Sequence, residues 1–196
     1  MVIRTQLQFW QRVMAMLIIS LCLSTTALAN LAGLMTDGQH ILLMRHADAP
    51  GFSDPAGHRL DQCSTQRNLG EFGKKQAERT GQWLNQQGIE SAKVFSSPWC
   101  RCIDTAALLK KGPVTIDPAL GSFFESMGQS NQQTEGLRQL VQKSLKQFPK
   151  TPIIMVSHHV NIEAFTGVVL GSGDMVLVKI GPNGKPISHQ VFPGMR

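Results

Sequence analysis

Two short, wholly apolar segments, each followed at once by polar residues, constrain the fold of this chain more than any other feature. Residues 41–44 read Ile-Leu-Leu-Met and residues 153–156 read Ile-Ile-Met-Val. A strand with one solvated face alternates apolar and polar side chains, whereas a strand without any polar position is typical of a sheet that is covered on both faces. Such sheets are mainly parallel, because helices connect their strands. The sequence therefore predicts a parallel sheet between two layers of helices.

Helix and strand patterns alternate along most of the remaining chain. Apolar residues recur at helical spacing in residues 133–148, and Pro149 ends that helix. Ser97 and Pro98 are predicted to cap and to open the helix over residues 99–110. The other predicted elements are strands at 92–95 and 114–116, helices at 73–87 and 161–165, and a hairpin formed by residues 175–180 and 187–192. This order predicts an α/β three-layer sandwich with a mostly parallel central sheet, helices on both faces and a C-terminal β-hairpin.

The first 29 residues have the pattern of an export signal. Arg4 and Arg12 give a positively charged start, residues 13–23 form an apolar stretch, and an Ala-Leu-Ala cleavage site follows. The apolar stretch is shorter than the about 20 residues that span a bilayer. We therefore expect a signal peptide over residues 1–29 and one domain over residues 30–196, in a periplasmic or secreted protein without stable membrane insertion after cleavage. An uncleaved N-terminal anchor is the alternative.

The charge of the chain argues against a nucleic-acid partner. The formal net charge is +6, and it falls to +4 without residues 1–29, which contain two arginines and no acidic residue. The remaining basic residues are scattered, without the basic clusters and interleaved aromatic residues of a nucleic-acid-binding face. Part of the surplus positive charge could serve an anionic substrate.

Three cysteines remain after the expected cleavage, Cys63, Cys100 and Cys102. In an oxidising compartment an odd number predicts one disulfide and one free thiol. A bridge between Cys100 and Cys102 is sterically awkward, so we expect Cys63 to pair with one of these two. A zinc site is the weaker interpretation, because the three cysteines lack a well-spaced fourth ligand.

Four side chains that suit phosphoryl chemistry lie where predicted strands end. Arg45 and His46 follow the first strand, Arg101 lies just inside the helix after the second strand, and His158 follows a later strand. The carboxyl ends of parallel strands meet at the sheet edge where α/β proteins bind ligands. Guanidinium groups match phosphate oxygens, and a neutral histidine can form a covalent intermediate. The sequence therefore predicts a phosphoryl site in which His46 attacks and the other three groups stabilise charge, without a metal.

Three segments resemble the signatures of the histidine phosphatase superfamily, in its phosphoglycerate-mutase-like branch 1. They are Leu-Met-Arg-His-Ala at 43–47, Ser-Ser-Pro-Trp-Cys-Arg at 96–101 with Asp-Thr-Ala after it, and Val-Ser-His at 156–158. The resemblance implies a phosphoglycerate-mutase-like fold. It also implies that His46 is the phosphohistidine nucleophile, that Arg45 and Arg101 bind phosphate, and that His158 is the second histidine of the pocket.

The chain departs from the family pattern at two positions and leaves the proton donor open. The family usually has glycine where this chain has Ala47 and His159. Its usual proton donor is a glutamate shortly after the third strand, which implies Glu125 here, with Asp48 as the second candidate. Two flanking phenylalanines could shield Glu125 from water, as a proton donor near neutral pH requires. Its alternative is a solvated surface residue.

Export and the family resemblance together imply a metal-independent phosphomonoesterase of the histidine acid phosphatase type, without a cofactor. A small phosphomonoester is the implied substrate, and exported members suggest an envelope sugar phosphate. The alternative is a non-catalytic, phosphate-binding pseudoenzyme of the same fold, because Glu125 lies later than the usual acid. Arg67 and Asn68 could reach a substrate, although we favour ordinary loop residues. A metal site on His158 and His159 is a further, weaker alternative.

Overall fold

A six-stranded mixed sheet forms the centre of the computed structural model, which describes residues 31–196; the predicted signal peptide lies outside the described residues. The strands are β1 (His40–Arg45), β2 (Lys93–Ser96), β3 (Val114–Ile116), β4 (Ile153–Ser157), β5 (Met175–Ile180) and β6 (Pro186–Phe192). Their order in the sheet is β3-β2-β4-β1-β5-β6. Strands β1 to β4 are parallel to one another, β5 is antiparallel to β1, and β6 is antiparallel to β5. The predicted mostly parallel sheet is therefore confirmed.

Five helices accompany the sheet in the described part of the chain. They are α1 (Leu31–Met35), α2 (Glu71–Gln86), α3 (Cys100–Leu108), α4 (Ser130–Gln147) and α5 (His159–Thr166), with short 3-10 turns at Cys63–Thr65, Pro118–Leu120 and Met127–Gln129. Within residues 31–196, no helix has the length and apolar character that crossing a bilayer requires. The sequence did not predict α1, and the other four helices begin and end within three residues of the predicted positions.

The start of α3 differs from the prediction. The helix begins at Cys100 and its capping position is Trp99, so Pro98 precedes the helix instead of opening it. No side chain caps this end. The Ser97 hydroxyl lies 2.8 Å from Nε2 of His158, and its distance to the Trp99 N–H is 3.4 Å. The prediction that Ser97 caps this helix is wrong, because its side chain turns towards a buried histidine.

The apolar strands are buried on both faces, as their composition predicts. Ile41 and Leu43 of β1 pack in the cluster that contains the apolar face of α4 and part of α5. Leu42 and Met44 pack on the opposite face, in the cluster that contains residues of α1, α2 and α3. Successive strand side chains point to opposite faces, so a strand covered on both sides has no position for a polar residue. The three-layer sandwich is confirmed.

The C-terminal hairpin extends the sheet beyond β1. Strand β5 pairs antiparallel with β1, and β6 pairs antiparallel with β5. The turn between them passes through Gly184 with φ of 76°, a left-handed conformation that favours glycine. The hairpin predicted from the Asn-Gly turn is therefore present.

The strand order brings three chain segments to one edge of the sheet. In the register of the parallel strands, Arg45 of β1 lies opposite Ser157 of β4, and Ser96 of β2 lies opposite Val156. Because these strands are adjacent and parallel, the residues that follow them emerge side by side. His46, Ser97 and His158 are the first residues after β1, β2 and β4.

A disulfide joins the long loop after β1 to the first residue of α3. The bridge links Cys63 to Cys100, and Cys102 is free and buried. Of the two pairings that the sequence left open, the structure has the one with Cys100. Burial raises the pKa of the Cys102 thiol to about 12, so this thiol stays protonated and unreactive at physiological pH.

Candidate active site

His46 is buried, and its contacts define its tautomer. Its Nδ1 lies 2.8 Å from the carbonyl oxygen of Ala47. A carbonyl only accepts hydrogen bonds, so Nδ1 carries the hydrogen and Nε2 carries the lone pair. Burial, with smaller contributions from nearby arginine charges, lowers the pKa of His46 to about 3. The ring is therefore a neutral imidazole whose Nε2 is available as a nucleophile.

The backbone around His46 is held from three sides. The His46 N–H donates to the Ser157 carbonyl at 3.0 Å, and the His46 carbonyl accepts from the Gly173 N–H at 3.0 Å. The Ala47 N–H donates to the Thr105 hydroxyl at 3.0 Å. The Ala47 side chain is fully buried in a small cluster with other alanines, so the extra methyl group relative to glycine is accommodated.

His158 lies next to His46, and the two ring centroids are 5.5 Å apart. Its Nε2 lies 2.8 Å from the Ser97 hydroxyl, and its Nδ1 lies 3.5 Å from Nη2 of Arg101. Burial, together with the charges of His46 and Arg101, lowers its pKa well below the usual value. The neighbouring His159 is only half-buried and its ring packs against Phe124. Of the two adjacent histidines, His158 is the one directed into the core of the site.

Three arginines surround the two histidines, and all three are held in the same way. Each uses Nη1 to donate to a backbone carbonyl: Arg45 to Leu170 at 2.8 Å, Arg67 to Ala49, and Arg101 to Arg67 at 3.4 Å. The Nε of each is buried and has no hydrogen-bond partner within residues 31–196. Buried donors without an acceptor are uncommon in native proteins. Three of them around one site form a strong attraction for an anion.

The cavity at this site is lined by His46, Arg67, Arg101 and His158, with aromatic and acidic residues at its mouth. Arg45 is adjacent to His46 in the chain, but its side chain is not part of the cavity wall. Arg67 is part of the wall, although the sequence favoured an ordinary loop residue at this position. Its contribution depends on how the loop folds back, which no local pattern in the sequence indicates.

Arg101 makes a buried ion pair with Asp54, which lies in the long loop between β1 and α2 that also contains Arg67. Both carboxylate oxygens of Asp54 accept from Nη1 of Arg101, at 2.8 and 3.0 Å. The Arg67 N–H and Nε1 of Trp99 also donate to this carboxylate, at 2.9 and 3.1 Å. Burial alone would raise the pKa of Asp54, but the Arg67 hydrogen bond and the Arg101 charge hold it below the usual value.

Comparison with known proteins supports the family resemblance. The sequence profile of the histidine phosphatase superfamily, branch 1, matches residues 41–129, which include His46, Arg67 and Arg101. The resemblance to this superfamily, predicted from three short segments, is therefore confirmed over residues 41–129. The sequence has no significant match among curated proteins.

Several solved structures share the fold of this chain. Mycobacterial glucosyl-3-phosphoglycerate phosphatase with VO3 is 15% identical at a TM-score of 0.54, covering 72% of this chain and 92% of its own. The protein histidine phosphatase SixA with tungstate is 17% identical at 0.52, covering 80% and 96%. Phosphoserine phosphatase from Entamoeba histolytica with 3-phosphoglyceric acid is 16% identical at 0.56, covering 80% and 96%. At these identities the likeness shows the fold alone.

The two candidate proton donors, Glu125 and Asp48, lie in different places. Glu125 is exposed and forms part of the cavity mouth, three residues beyond Ser122, which also lines the cavity. Asp48 is half-buried and is not part of the cavity wall; its N–H donates to the Gln76 side chain. Asn68 donates to the Cys63 and Gln66 carbonyls, so it fastens the loop internally and does not line the cavity.

One cluster in the described residues brings metal-binding atoms together. Asp54, His58 and Glu125 place one donor atom each within 4.8 Å of one another. Both oxygens of Asp54 already accept hydrogen bonds from Arg101, Arg67 and Trp99, so a cation would have to displace these donors. His158 and His159 do not form such a cluster within residues 31–196. The site is therefore built to attract an anion more than a cation.

Proposed function

We propose that this protein is an exported phosphomonoesterase that transfers the phosphoryl group of its substrate to Nε2 of His46. The observation that carries the proposal is the neutral, oriented His46 ring beside arginine side chains whose buried Nε donors have no partner within residues 31–196. A nucleophile needs a free lone pair, and a phosphoryl group needs several fixed donors for its oxygens. Both requirements are met by residues of this chain alone.

In the first step, Nε2 of His46 attacks phosphorus as the bond from phosphorus to the leaving oxygen breaks. The Ala47 carbonyl holds Nδ1–H, so the positive charge that develops on the ring is stabilised as the Nε2–P bond forms. Arg67 and Arg101, which line the cavity, donate to the non-bridging oxygens, and Arg45 adds its positive charge beside His46. Charges that are fixed before the reaction stabilise the transition state without reorganisation.

In the second step, water attacks the phosphohistidine and releases inorganic phosphate, which restores Nε2. The leaving oxygen of the first step needs a proton, and the same acid takes one from water in the second step. We propose Glu125 for this role, because it lines the cavity and is exposed to solvent, so its carboxyl group can meet a leaving group that departs towards water. Metal ions and cofactors have no part in these steps.

The compartment and the substrate class are part of the same proposal. Residues 1–29 have the composition of a signal peptide, which would place the protein in the periplasm or outside the cell. A sugar-phosphate mutase would lack its substrates there, so hydrolysis is the reaction that we favour. Phe52 and Phe124 stack edge to face at the cavity mouth, with centroids 5.6 Å apart. An aromatic rim of this kind suits the leaving group of an envelope sugar phosphate.

Phosphate release from phenyl phosphate in the presence of EDTA tests the proposal. The wild-type protein is expected to turn over without metal, and His46→Ala to lose at least about 1,000-fold in kcat/KM, since a covalent nucleophile is removed. His189→Ala is the matched control, because His189 is an exposed histidine on β6. Activity that survives His46→Ala, or that chelation abolishes, contradicts the proposal.

One observation favours a second candidate function. Glu125 is exposed to solvent, so the chain could retain the phosphate site while lacking an effective proton donor. The protein would then be a non-catalytic phosphate-binding protein of the same fold. Vanadate binding measured by calorimetry separates the two: binding without turnover of any phosphomonoester supports the second candidate.

A further inference from the structure

We infer that Asp54 is a positioning residue, which holds Arg101 by one nitrogen so that the opposite edge of its guanidinium group faces the phosphate. This inference rests on the proposed function. Asp54 lies in the loop between β1 and α2, and neither the family signatures nor the predicted site residues include it. Its side chain and that of Arg101 are 6% and 5% exposed, so the pair is almost completely removed from water.

The division of the guanidinium donors is the first argument. Nη1 of Arg101 is fully used, since it donates to both oxygens of Asp54 and to the Arg67 carbonyl. Within residues 31–196, Nε is buried without a hydrogen-bond partner, and Nη2 makes a 3.5 Å contact with Nδ1 of His158. The Nε and Nη2 hydrogens form the parallel fork that binds two oxygens of a phosphate. The ion pair therefore fixes the guanidinium group through Nη1 and leaves the fork of Nε and Nη2 available on the His158 side.

Asp54 is itself held in place, which a positioning role requires. The Arg67 N–H and Nε1 of Trp99 donate to its two oxygens. The ring of Trp99 in turn packs edge to face against His158 at 5.1 Å. The Asp54 carboxylate is therefore the point that joins Arg101, Arg67 and Trp99 into one rigid group around His158.

The loop that carries Asp54 is also fastened to the helix that carries Arg101. The disulfide joins Cys63 of the loop to Cys100, the residue before Arg101. The Gln66 side chain accepts from the Cys100 N–H at 3.0 Å. These two contacts hold the loop against the start of α3, which favours the ion pair between Asp54 and Arg101.

Two other roles for Asp54 fit the contacts less well. A proton donor must be protonated and must direct an oxygen towards the leaving group, but three groups donate to the Asp54 oxygens and stabilise its charged form. A carboxylate that occupied the phosphate site in place of a ligand would contact Nε and Nη2 of Arg101. Asp54 instead contacts Nη1, and Nε has no partner within residues 31–196. Holding Arg101 is the role consistent with both observations.

Substitution of Asp54, combined with substitution of Arg101, tests the inference. Asp54→Ala is expected to lower kcat/KM about 10- to 100-fold, the range for losing a hydrogen bond to a charged group. The loss is expected to be equal for phenyl phosphate and an alkyl phosphate, because the leaving group is not touched. Asp54→Asn is expected to lose less, because its amide oxygen can still accept from Arg101. A clearly larger loss for the alkyl phosphate would show that Asp54 is a proton donor and would overturn the inference.

A double-mutant cycle measures whether Asp54 acts through Arg101. In an Arg101→Ala background, Asp54→Ala is expected to change the rate with 2,4-dinitrophenyl phosphate less than 3-fold; the activated leaving group keeps the residual rate measurable. A loss as large as in the wild-type background contradicts the inference. Asp61→Ala is the control, because Asp61 lies in the same loop and pairs with exposed Arg59 at the surface.

The same double-mutant cycle can be measured without turnover, from the affinity for vanadate determined by calorimetry. The four proteins are the wild type, Asp54→Ala, Arg101→Ala and the double variant. Weaker binding in Asp54→Ala, and no further weakening when Arg101 is already absent, are expected. If circular dichroism shows that all four proteins are folded and the losses in vanadate affinity are additive, the inference is contradicted. This readout also separates the two hypotheses: if the wild type forms no phosphohistidine, the proposed function fails, while the binding cycle still decides the role of Asp54.

Discussion

At the scale of single residues, the arginines define what the site can bind. Arg45, Arg67 and Arg101 each fix Nη1 on the protein and leave a buried Nε without a partner in the described residues. Asp54 offsets one of these three positive charges, and the two pocket histidines are neutral because burial lowers their pKa values. Fixed guanidinium groups beside neutral histidines suit the anionic oxygens of a phosphomonoester.

Removal of Arg67 tests whether the third guanidinium belongs to the phosphate site. Arg67→Ala is expected to lower kcat/KM for phenyl phosphate about 100-fold, because a charged donor to the transferring group is lost. Arg59→Ala is the control, since Arg59 lies in the same loop but pairs with Asp61 at the surface. Equal, small effects of the two substitutions would show that Arg67 is an ordinary loop residue.

Residues at strand ends could be predicted from the sequence, and residues in the loop could not. His46 and His158 follow buried strands, so the parallel sheet alone brings them together. Arg67 and Asp54 reach the cavity only because the loop is folded back by the disulfide and by side-chain contacts with the backbone. The sequence contains the participants in these contacts but not their pairing. For the same reason it placed Ser97 at a helix cap, whereas the structure directs it to His158.

At the scale of elements, the position of His46 depends on how closely α2 approaches the segment after β1. Gly73, in the first turn of α2, packs directly on the backbone of Asp48. A Cβ atom there would lie 1.9 Å from the Asp48 carbonyl oxygen, a distance that only movement of the backbone can relieve. The Ala47 carbonyl that orients His46 belongs to this same segment.

Gly73→Ala is therefore expected to affect both stability and catalysis. We expect a loss of about 2 kcal/mol or more in the free energy of unfolding, since the backbone must shift. We also expect a lower kcat, because the His46 ring loses its orientation.

Gly136→Ala in α4 is the control: its Cβ would meet only ordinary contacts, and alanine favours a helix by up to about 1 kcal/mol. Urea unfolding and phenyl phosphate turnover of both variants measure these effects, and similar behaviour of the two variants would contradict the role assigned to Gly73.

The elements themselves follow from the sequence to different degrees. The strands could be placed because a wholly apolar run is compatible with a strand buried on both faces, and β1 and β4 have this pattern. The short helix α1 could not, because five residues do not establish a helical period and its stability depends on packing against β1. Local patterns therefore define the sheet, while tertiary packing decides the short helices and the loop.

At the scale of the whole molecule, two buried neutral histidines make the fold sensitive to acid. Burial holds the folded-state pKa of His46 at about 3, whereas an unfolded histidine has a pKa of about 6.5. Below pH 6.5 the unfolded chain binds a proton at this position and the folded protein does not. Stability is therefore fully present above pH 6.5 and is lost as the pH falls from about 6.5 towards about 3.

Urea unfolding at pH 7 and pH 5 measures this effect. His46 alone is expected to contribute a decrease of about 2 kcal/mol in the free energy of unfolding between these two pH values. In His46→Asn the decrease is expected to be smaller by that amount, whereas His189→Asn on the exposed strand β6 is expected to retain it. An equal decrease in wild type and His46→Asn would mean that His46 is not buried as a neutral ring.

The central claim is that His46 carries the phosphoryl group during turnover, and trapping the intermediate tests it most directly. The protein is mixed with phenyl phosphate, quenched in alkaline detergent to preserve the acid-labile P–N bond, digested and analysed by mass spectrometry. We expect one phosphorylated residue, His46, in the wild type, and none in His46→Asn. Continued turnover with phosphate on another residue, or with no phosphorylated peptide under single-turnover conditions, would contradict the claim.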